Sequence, residues 1–192
     1  MSAIFQSLGR TVAAGVVLVV LMVAALRGGN LDHAWGTFIM RWLHVLCGVM
    51  WVGLLWYFNF VQIPSMPKIP DEQKPAVSKV IAPTALFWFR WAALATVVTG
   101  LLLALMNGSI GLALMLQKPF LAIGIGMWLA LVMAFNVWFI IWPNQKKALG
   151  IVAVEPAEKA AAARLAMLVS RFNTMLSIPM LYCMVAQQNG GL

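Results

Sequence analysis

An arginine and a histidine lie on one face of the apolar helix predicted for residues 41–64, RWLHVLCGVMWVGLLWYFNFVQIP. The uncharged run after Arg41 is about 20 residues long, enough for a helix to cross the hydrocarbon core of a bilayer. Residues three, seven and ten positions apart share a helical face, so Arg41, His44, Gly48 and Trp51 point roughly the same way. An arginine could bind an anion, and a histidine could carry a proton, ligate haem iron or hydrogen-bond a substrate.

Each of these residues also has an ordinary interpretation. Arg41 is near one end of its span, from which its side chain could extend to lipid headgroups. His44 lies one turn deeper and could be a neutral histidine bonded to a neighbouring helix. Because polar groups inside a span are costly, we take His44 and Arg41 as the candidate catalytic pair, with Gly48 and Trp51 as candidate binding residues.

The composition identifies the class of protein. Hydrophobic residues make up 63% of the 192 residues and charged residues only 9%, which predicts an integral membrane protein with a single domain over residues 1–192. The basic residues behind the net charge of +8 are scattered between apolar runs and form no basic patch. We therefore expect the lipid bilayer as a partner and no nucleic acid. Cys47 and Cys183 both fall in apolar runs, which argues against a disulfide framework.

Five apolar runs predict an all-α bundle of five transmembrane helices. The predicted spans are about 11–26, 35–62, 84–106, 120–142 and 168–186, with polar loops over 64–83 and 143–164. The first run resembles a signal peptide, but no convincing small-residue cleavage site follows Ala25, so we expect it to be retained as a span. Gly28, Gly29 and Asn30 predict a turn before the second span. An alanine-rich amphipathic helix is expected to lead into the fifth span.

The basic residues predict the orientation. With five spans, only three of the 13 basic residues fall on the side opposite the N-terminus: Arg27, Arg41 and Lys118. The positive-inside rule then places the N-terminus in the cytoplasm and the C-terminus in the periplasm. Arg41 and His44 would lie near the outer surface, and Arg90 and Arg171 near the inner one, so we do not expect the two pairs to share one site.

The acidic residues limit the metal chemistry. All five of them lie in predicted loops, which excludes a di-iron carboxylate cluster inside the membrane. His33 and His44 belong to one segment and would be about 16 Å apart in a helix, so one chain cannot hold haem between two histidines of facing helices. His44 could still ligate haem together with a methionine or a group from a second copy, and no other metal site is expected.

Polar residues of the other spans complete the candidate set for substrate or cofactor binding. These further candidates are Asn59, Arg90, Arg171 and Asn173. The ordinary interpretation of Asn59, and of Asn136, is an interhelical hydrogen bond, and we favour it. The hydroxyl groups of the fifth span are expected to bond their own helix backbone around Pro179.

Three stretches in the same order resemble the membrane domain of the bacterial membrane-bound urate oxidases, or urate hydroxylases. They are residues 41–64, IIWPNQKKAL (140–149) and SRFNTMLSIPMLYCM (170–184), and FWFRW (87–91) with its following Thr-Gly also fits. The resemblance implies a multi-pass protein of the bacterial inner membrane that oxidises urate or a similar small heterocycle, or passes electrons to a c-type cytochrome. The matching positions are Arg41, His44, Trp51, Asn59, Trp88, Arg90, Trp142, Asn144, Arg171, Asn173 and Pro179.

The sequence also departs from the usual form of that family, which continues into a cytochrome c domain. No C-x-x-C-H motif occurs here, so we expect electrons to leave to a separate cytochrome. The segment after Met184, VAQQNGGL, lacks the histidine expected there, and the chain could have kept the scaffold and lost the reaction. Two alternatives therefore stay open: a non-catalytic accessory subunit of a larger respiratory or photosynthetic membrane complex, and a haem-binding electron-transfer protein with His44 as axial ligand.

Overall fold

Five helices long and apolar enough to cross a membrane dominate the structure, a computed structural model that describes residues 2–27 and 31–191. In chain order they are Leu8–Arg27, His33–Lys68, Lys74–Met106, Leu121–Ala148 and Pro156–Asn189. We label them α1 to α5 in chain order. Every regular element in the described residues is helical, which confirms the predicted all-α class with five spans. The turn predicted at residues 28–30 lies outside the described residues, and the orientation in the membrane stays a prediction.

The chain divides into two compact units, Met1–Gly36 and Thr37–Leu192. In the first unit the short helix Ser2–Phe5 precedes α1, and the Thr11 hydroxyl donates a hydrogen bond back to the carbonyl oxygen of Ile4 at 3.1 Å. None of the 20 residues of α1 is buried. A mostly apolar helix without buried residues is suited to lipid or to another protein around it, which agrees with a membrane span.

The helices α2, α3 and α4 each contain a wider, π-helical turn just before a proline. These turns are Tyr57–Gln62, Val77–Ile81 and Asn136–Ile141, and each ends two residues before a proline, at Pro64, Pro83 and Pro143. Proline has no N–H to donate and its ring crowds the carbonyl one turn earlier, so a locally widened turn lets the helix continue.

The predicted polar loops over 64–83 and 143–164 are therefore corrected to shorter ones. The helix α2 continues to Lys68, and α3 begins at Lys74. The helix α4 continues to Ala148, and α5 begins at Pro156. Only residues 69–73 and 149–155 separate these helices. The proline-rich composition suggested loops, but the prolines occupy the first positions of new helical turns, where the missing N–H costs nothing. The alanine-rich segment runs directly into the last span, as expected.

The core of the second unit lies between α2, α3, α4 and α5. Large side chains fill it, and Trp51, Leu55, Phe89 and Met133 are the bulkiest fully buried apolar ones. The helices α4 and α5 pack most extensively, because small residues let their backbones approach: a methyl group added at Gly126 would lie 3.1 Å from Cys183 Cβ. Cys183 and Cys47 are both free thiols.

Candidate functional site

His44 turns inward, toward α3. Its Nδ1 lies 3.0 Å from the carbonyl oxygen of Thr96 and 3.2 Å from the hydroxyl oxygen of Thr99. Because a carbonyl oxygen can only accept, we assign the hydrogen to Nδ1, which leaves the lone pair of the neutral ring on Nε2. The ring lies over Gly100, where an added methyl group would come within 2.8 Å of His44 Cε1. The glycine therefore makes the room in which the imidazole sits.

The rest of the predicted face also packs against protein. A methyl group on Gly48 would lie 3.9 Å from Thr96 Cγ2, and Trp51 and Leu55 are completely buried. We call the surface formed by Arg41, His44, Gly48, Trp51 and Leu55 the His44 face. Two of its donors, Arg41 Nε and Trp51 Nε1, are buried without a hydrogen-bond partner among the described residues. The face thus combines tight packing with donors that the described chain does not use.

The surroundings of His44 are suited to a single ligand bond. A histidine that donates from one ring nitrogen to a backbone carbonyl presents the other nitrogen in a fixed direction, as metal-bound histidines do. Within residues 2–27 and 31–191, however, no group of three or more His, Cys, Asp or Glu side chains could hold a metal ion. His44 does not line either of the two cavities described below. A haem at His44 would need its second axial ligand from a methionine or from another chain.

A second set of polar side chains lies at the centre of the bundle, and we call it the polar seam. It comprises Trp56, Asn59, Asn136, Ser170, Asn173 and Ser177. Ser170, Asn173 and Ser177 are spaced three and four residues apart, share one face of α5, and are at most 5% exposed.

Most polar groups of the seam bond one another, although Asn59 Oδ1 is buried without a hydrogen-bond partner among the described residues. Asn59 Nδ2 donates to Ser170 Oγ at 2.8 Å, and Asn136 Nδ2 donates to Asn173 Oδ1 at 2.8 Å. Asn173 Nδ2 in turn donates to the carbonyl oxygen of Met133 at 2.9 Å. These bonds confirm the interpretation of Asn59 and Asn136 as interhelical partners. Thr174, next to the seam, donates to the Ser170 carbonyl of its own helix, as expected for a hydroxyl of this span.

One end of the seam opens into a small cavity of about 50 Å³. Ser170, Gln62 and Gln145 contribute polar groups to its lining, together with apolar residues such as Phe58 and Phe89. The oxygen Gln62 Oε1 is buried and has no hydrogen-bond partner in the described part of the chain. A buried water needs roughly 10–15 Å³ of such space, so the cavity has room for a few water molecules that would satisfy this acceptor.

The two candidate arginines of α3 and α5 have different surroundings. The guanidinium carbon of Arg90 lies 3.6 Å from the centre of a Trp142 ring and 5.7 Å from that of Phe87. Arg171 lies on an exposed face of α5, one residue away from the buried Ser170. Arg90 is thus held by aromatic side chains at one end of the bundle, whereas Arg171 faces outward.

Four seam residues are not in the candidate set: Trp56, Asn136, Ser170 and Ser177. A signal for the seam is present in the sequence: Met-Trp, six residues, then Phe-Asn occurs at residues 50–59 and again at 127–136. A basic residue precedes each tryptophan by ten positions, Arg41 in the first copy and Lys118 in the second. The two asparagines at the ends of this pattern both donate to α5, at residues three positions apart.

Fold and geometry together define a multi-pass helical membrane protein with a polar seam in its centre and a histidine held between two spans. The family model described as urate oxidase N-terminal matches residues 108–190, which cover all of α4 and α5. This match confirms the resemblance to the urate oxidase membrane domain over that part of the chain. It includes the seam residues of α4 and α5, whereas Arg41 and His44 lie outside it. Comparison with curated proteins and with solved structures gives no match.

Proposed function

We propose that the protein is a redox protein of the bacterial inner membrane, of the urate oxidase membrane-domain type. It oxidises urate or a similar small heterocycle, or passes electrons to a separate c-type cytochrome. The family match over residues 108–190 supports the class of protein. The observation that carries the site is the His44 ring, whose Nδ1 contacts the Thr96 carbonyl at 3.0 Å and so leaves Nε2 to accept a proton.

The proposed chemistry uses the two candidate residues in separate roles. An acidic heterocycle carries negative charge near neutral pH, and the guanidinium of Arg41 is a cation that can bind it. His44 Nε2 accepts the proton that leaves a ring nitrogen as electrons are withdrawn. The electrons pass one at a time to an oxidised c-type cytochrome, which is reduced. Thr96 and Thr99 hold the imidazole in the tautomer that this step requires.

The test is urate consumption by membranes that contain the full chain, with an oxidised c-type cytochrome as acceptor. His44→Ala and Arg41→Ala should each abolish most of the turnover. His33→Ala, at the start of the same helix, is the matched control and should retain it. Undiminished turnover in both test variants would rule out this site, and no turnover with the unmodified chain would contradict the function.

Haem binding at His44 is tested by the absorbance spectrum of the purified chain in oxidised and reduced forms. The arrangement of His44 Nδ1 on a backbone carbonyl fits an axial ligand. If haem binds, a Soret band is expected, and it should change or vanish in His44→Ala. A spectrum without that band in either redox state removes the haem-binding alternative.

A specific observation favours the second candidate, a non-catalytic accessory subunit of a larger membrane complex. None of the residues of α1 is buried, and its mostly apolar sequence is suited to contact with lipid or with partner helices. Mild solubilisation of native membranes followed by native electrophoresis separates the two functions. Migration within a stable larger complex, without urate turnover, would favour the accessory role.

A further inference from the structure

We propose that a groove between α3 and α4 binds one anionic phospholipid, with its phosphate at Arg90 and Lys146 and one acyl chain along the groove. The site is distinct from the His44 face and does not depend on the proposed redox function. Its two halves, a cationic end and an apolar channel, are adjacent on the same helices.

The cationic end surrounds the ring of Trp142. The guanidinium carbon of Arg90 lies 3.6 Å from a ring centroid of Trp142, and Lys146 Nζ lies 5.7 Å from a ring centroid of the same residue. Arg90 Nη1 is buried and has no hydrogen-bond partner in the described part of the chain. A charged guanidinium with one buried and unpaired donor is costly, and an anion whose oxygen atoms reach its other nitrogens would offset that cost.

No carboxylate of the described residues is placed to be that acceptor. The ion pairs in this unit join Lys74 to Asp71 and Lys147 to Glu158, and neither involves Arg90 or Lys146. A phosphate group suits these two cations, because a guanidinium binds two phosphate oxygens side by side and the ammonium group adds a second positive charge. Indole rings also prefer the level of the lipid headgroups.

The apolar channel begins beside Arg90. Its volume is about 380 Å³, and its lining is entirely apolar apart from one indole: Leu94, Val97, Leu131, Ala134, Phe135, Trp138 and Phe139. Leu94 and Val97 lie four and seven residues after Arg90 and share its face of α3. The indole N–H of Trp138 donates to the Arg90 carbonyl oxygen at 3.1 Å, which ties the two halves together. Val97 lies about 10 Å along the axis of α3 from Arg90, so the channel extends along that helix.

This combination selects a phospholipid over other occupants. A soluble anion would use the cationic end alone, and a neutral lipid would use the channel alone. A phosphate joined to an acyl chain uses both, and a net negative headgroup offsets the two cations. The proposal therefore commits to an anionic phospholipid.

The experiment measures lipid binding to the purified full-length chain in a neutral detergent, by native mass spectrometry and by thermal unfolding. Phosphatidylglycerol should bind at least several-fold more tightly than phosphatidylcholine and raise the unfolding temperature. Arg90→Gln and Lys146→Gln should each weaken phosphatidylglycerol binding by about fivefold. Leu94→Trp, which fills the channel and keeps both charges, should weaken it as well.

The matched control is Arg171→Gln, which removes one exposed arginine of α5 and should leave binding unchanged. Equal loss in Arg171→Gln and Arg90→Gln would show that net charge alone attracts the lipid and would overturn the site. Equal binding of phosphatidylglycerol and phosphatidylcholine would overturn the headgroup assignment. If inorganic phosphate stabilises the chain as well as phosphatidylglycerol does, and Leu94→Trp has no effect, the site binds a soluble anion and the lipid proposal is wrong.

Discussion

The His44 face and the polar seam both place polar side chains inside the membrane spans, but they use their hydrogen bonds differently. In the seam, Asn136 and Asn173 bond each other and Asn173 also reaches the carbonyl oxygen of Met133. On the His44 face, the imidazole uses Nδ1 for the protein and keeps Nε2, while Arg41 Nε is buried without a partner in the described residues.

This difference separates a structural role from a functional one. Inside a bilayer a polar group that is already bonded to its neighbours holds helices together, with a measured contribution of about 0.6 kcal/mol on average and about 1.7 at most. A polar group left over after packing is the one that can meet a ligand. The Asn136–Asn173 part of the seam therefore belongs to the scaffold, and the His44 face, where Arg41 Nε and Trp51 Nε1 have no partner among the described residues, is the better candidate for chemistry.

Replacing His44 gives the largest expected effect and tests this separation directly. His44→Ala should lower urate turnover by about 10²–10⁴-fold, the usual contribution of a positioned proton acceptor. The free energy of unfolding in detergent should fall by no more than about 1 kcal/mol, because one hydrogen-bonding ring nitrogen is lost. Turnover and unfolding are measured on the same preparation. A large stability loss with turnover intact would assign His44 to the scaffold.

The seam should respond in the opposite way. Asn173→Leu leaves the Asn136 side-chain amide without its partner and removes the bond from Asn173 to the Met133 carbonyl, so the free energy of unfolding should fall by about 2 kcal/mol. Turnover per folded molecule should change little. Thr174→Val is the matched control, since that hydroxyl bonds only its own helix, and it should cost less than about 0.5 kcal/mol. A loss of turnover in Asn173→Leu without a loss of stability would reverse the two roles.

The sequence predicts much of this arrangement, and its failures have physical causes. The lengths of the apolar runs are enough to predict five spans. The helical period is enough to predict that His44, Gly48 and Trp51 share one face of α2, and His44 and Gly48 lie against α3. Sequence alone does not say which neighbour, because that depends on how α3 packs. The loop predicted over 64–83 is too long because proline usually breaks a helix, whereas here a π-helical turn accommodates it.

The separate fates of Arg90 and Arg171 show the same limit. Arg90 and Arg171 each stand beside an aromatic residue in the sequence, and each belongs to the pattern that resembles urate oxidase. Only the packing of α4 against α3 brings Trp142 to Arg90, and no local pattern encodes that contact. The seam was within reach of sequence reasoning, since Asn59 and Asn136 end the same spaced motif.

A smaller and more specific change sharpens the comparison at the imidazole. Gly100→Ala would bring a methyl group within 2.8 Å of His44 Cε1, so the ring must move off its two threonine partners. Because displacement of a catalytic group by a fraction of an ångström is costly, turnover should fall about tenfold. Gly53→Ala, where an added methyl group meets nothing within 4 Å, is the matched control and should keep full turnover. Equal activity of the two variants would mean that the position of the His44 ring does not matter.

The smallest expected effect lies outside both regions, in the segment between α2 and α3. There Lys74 donates a hydrogen bond to Asp71 at 2.6 Å, and this bond, together with the charge of Lys74, holds the pKa of the Asp71 carboxyl below its usual range. A carboxyl with a depressed folded-state pKa stabilises the fold above its unfolded pKa of about 3.9, and this contribution is lost as the pH falls through the folded-state pKa.

Asp71→Asn should therefore lower the unfolding temperature slightly at pH 7, and the difference from the unmodified chain should vanish in acid. Lys74→Gln should remove the same pH dependence, and high salt should weaken it because the pair is exposed. A pH dependence that survives in both variants would place its origin in another carboxyl, and neither variant should alter urate turnover at neutral pH.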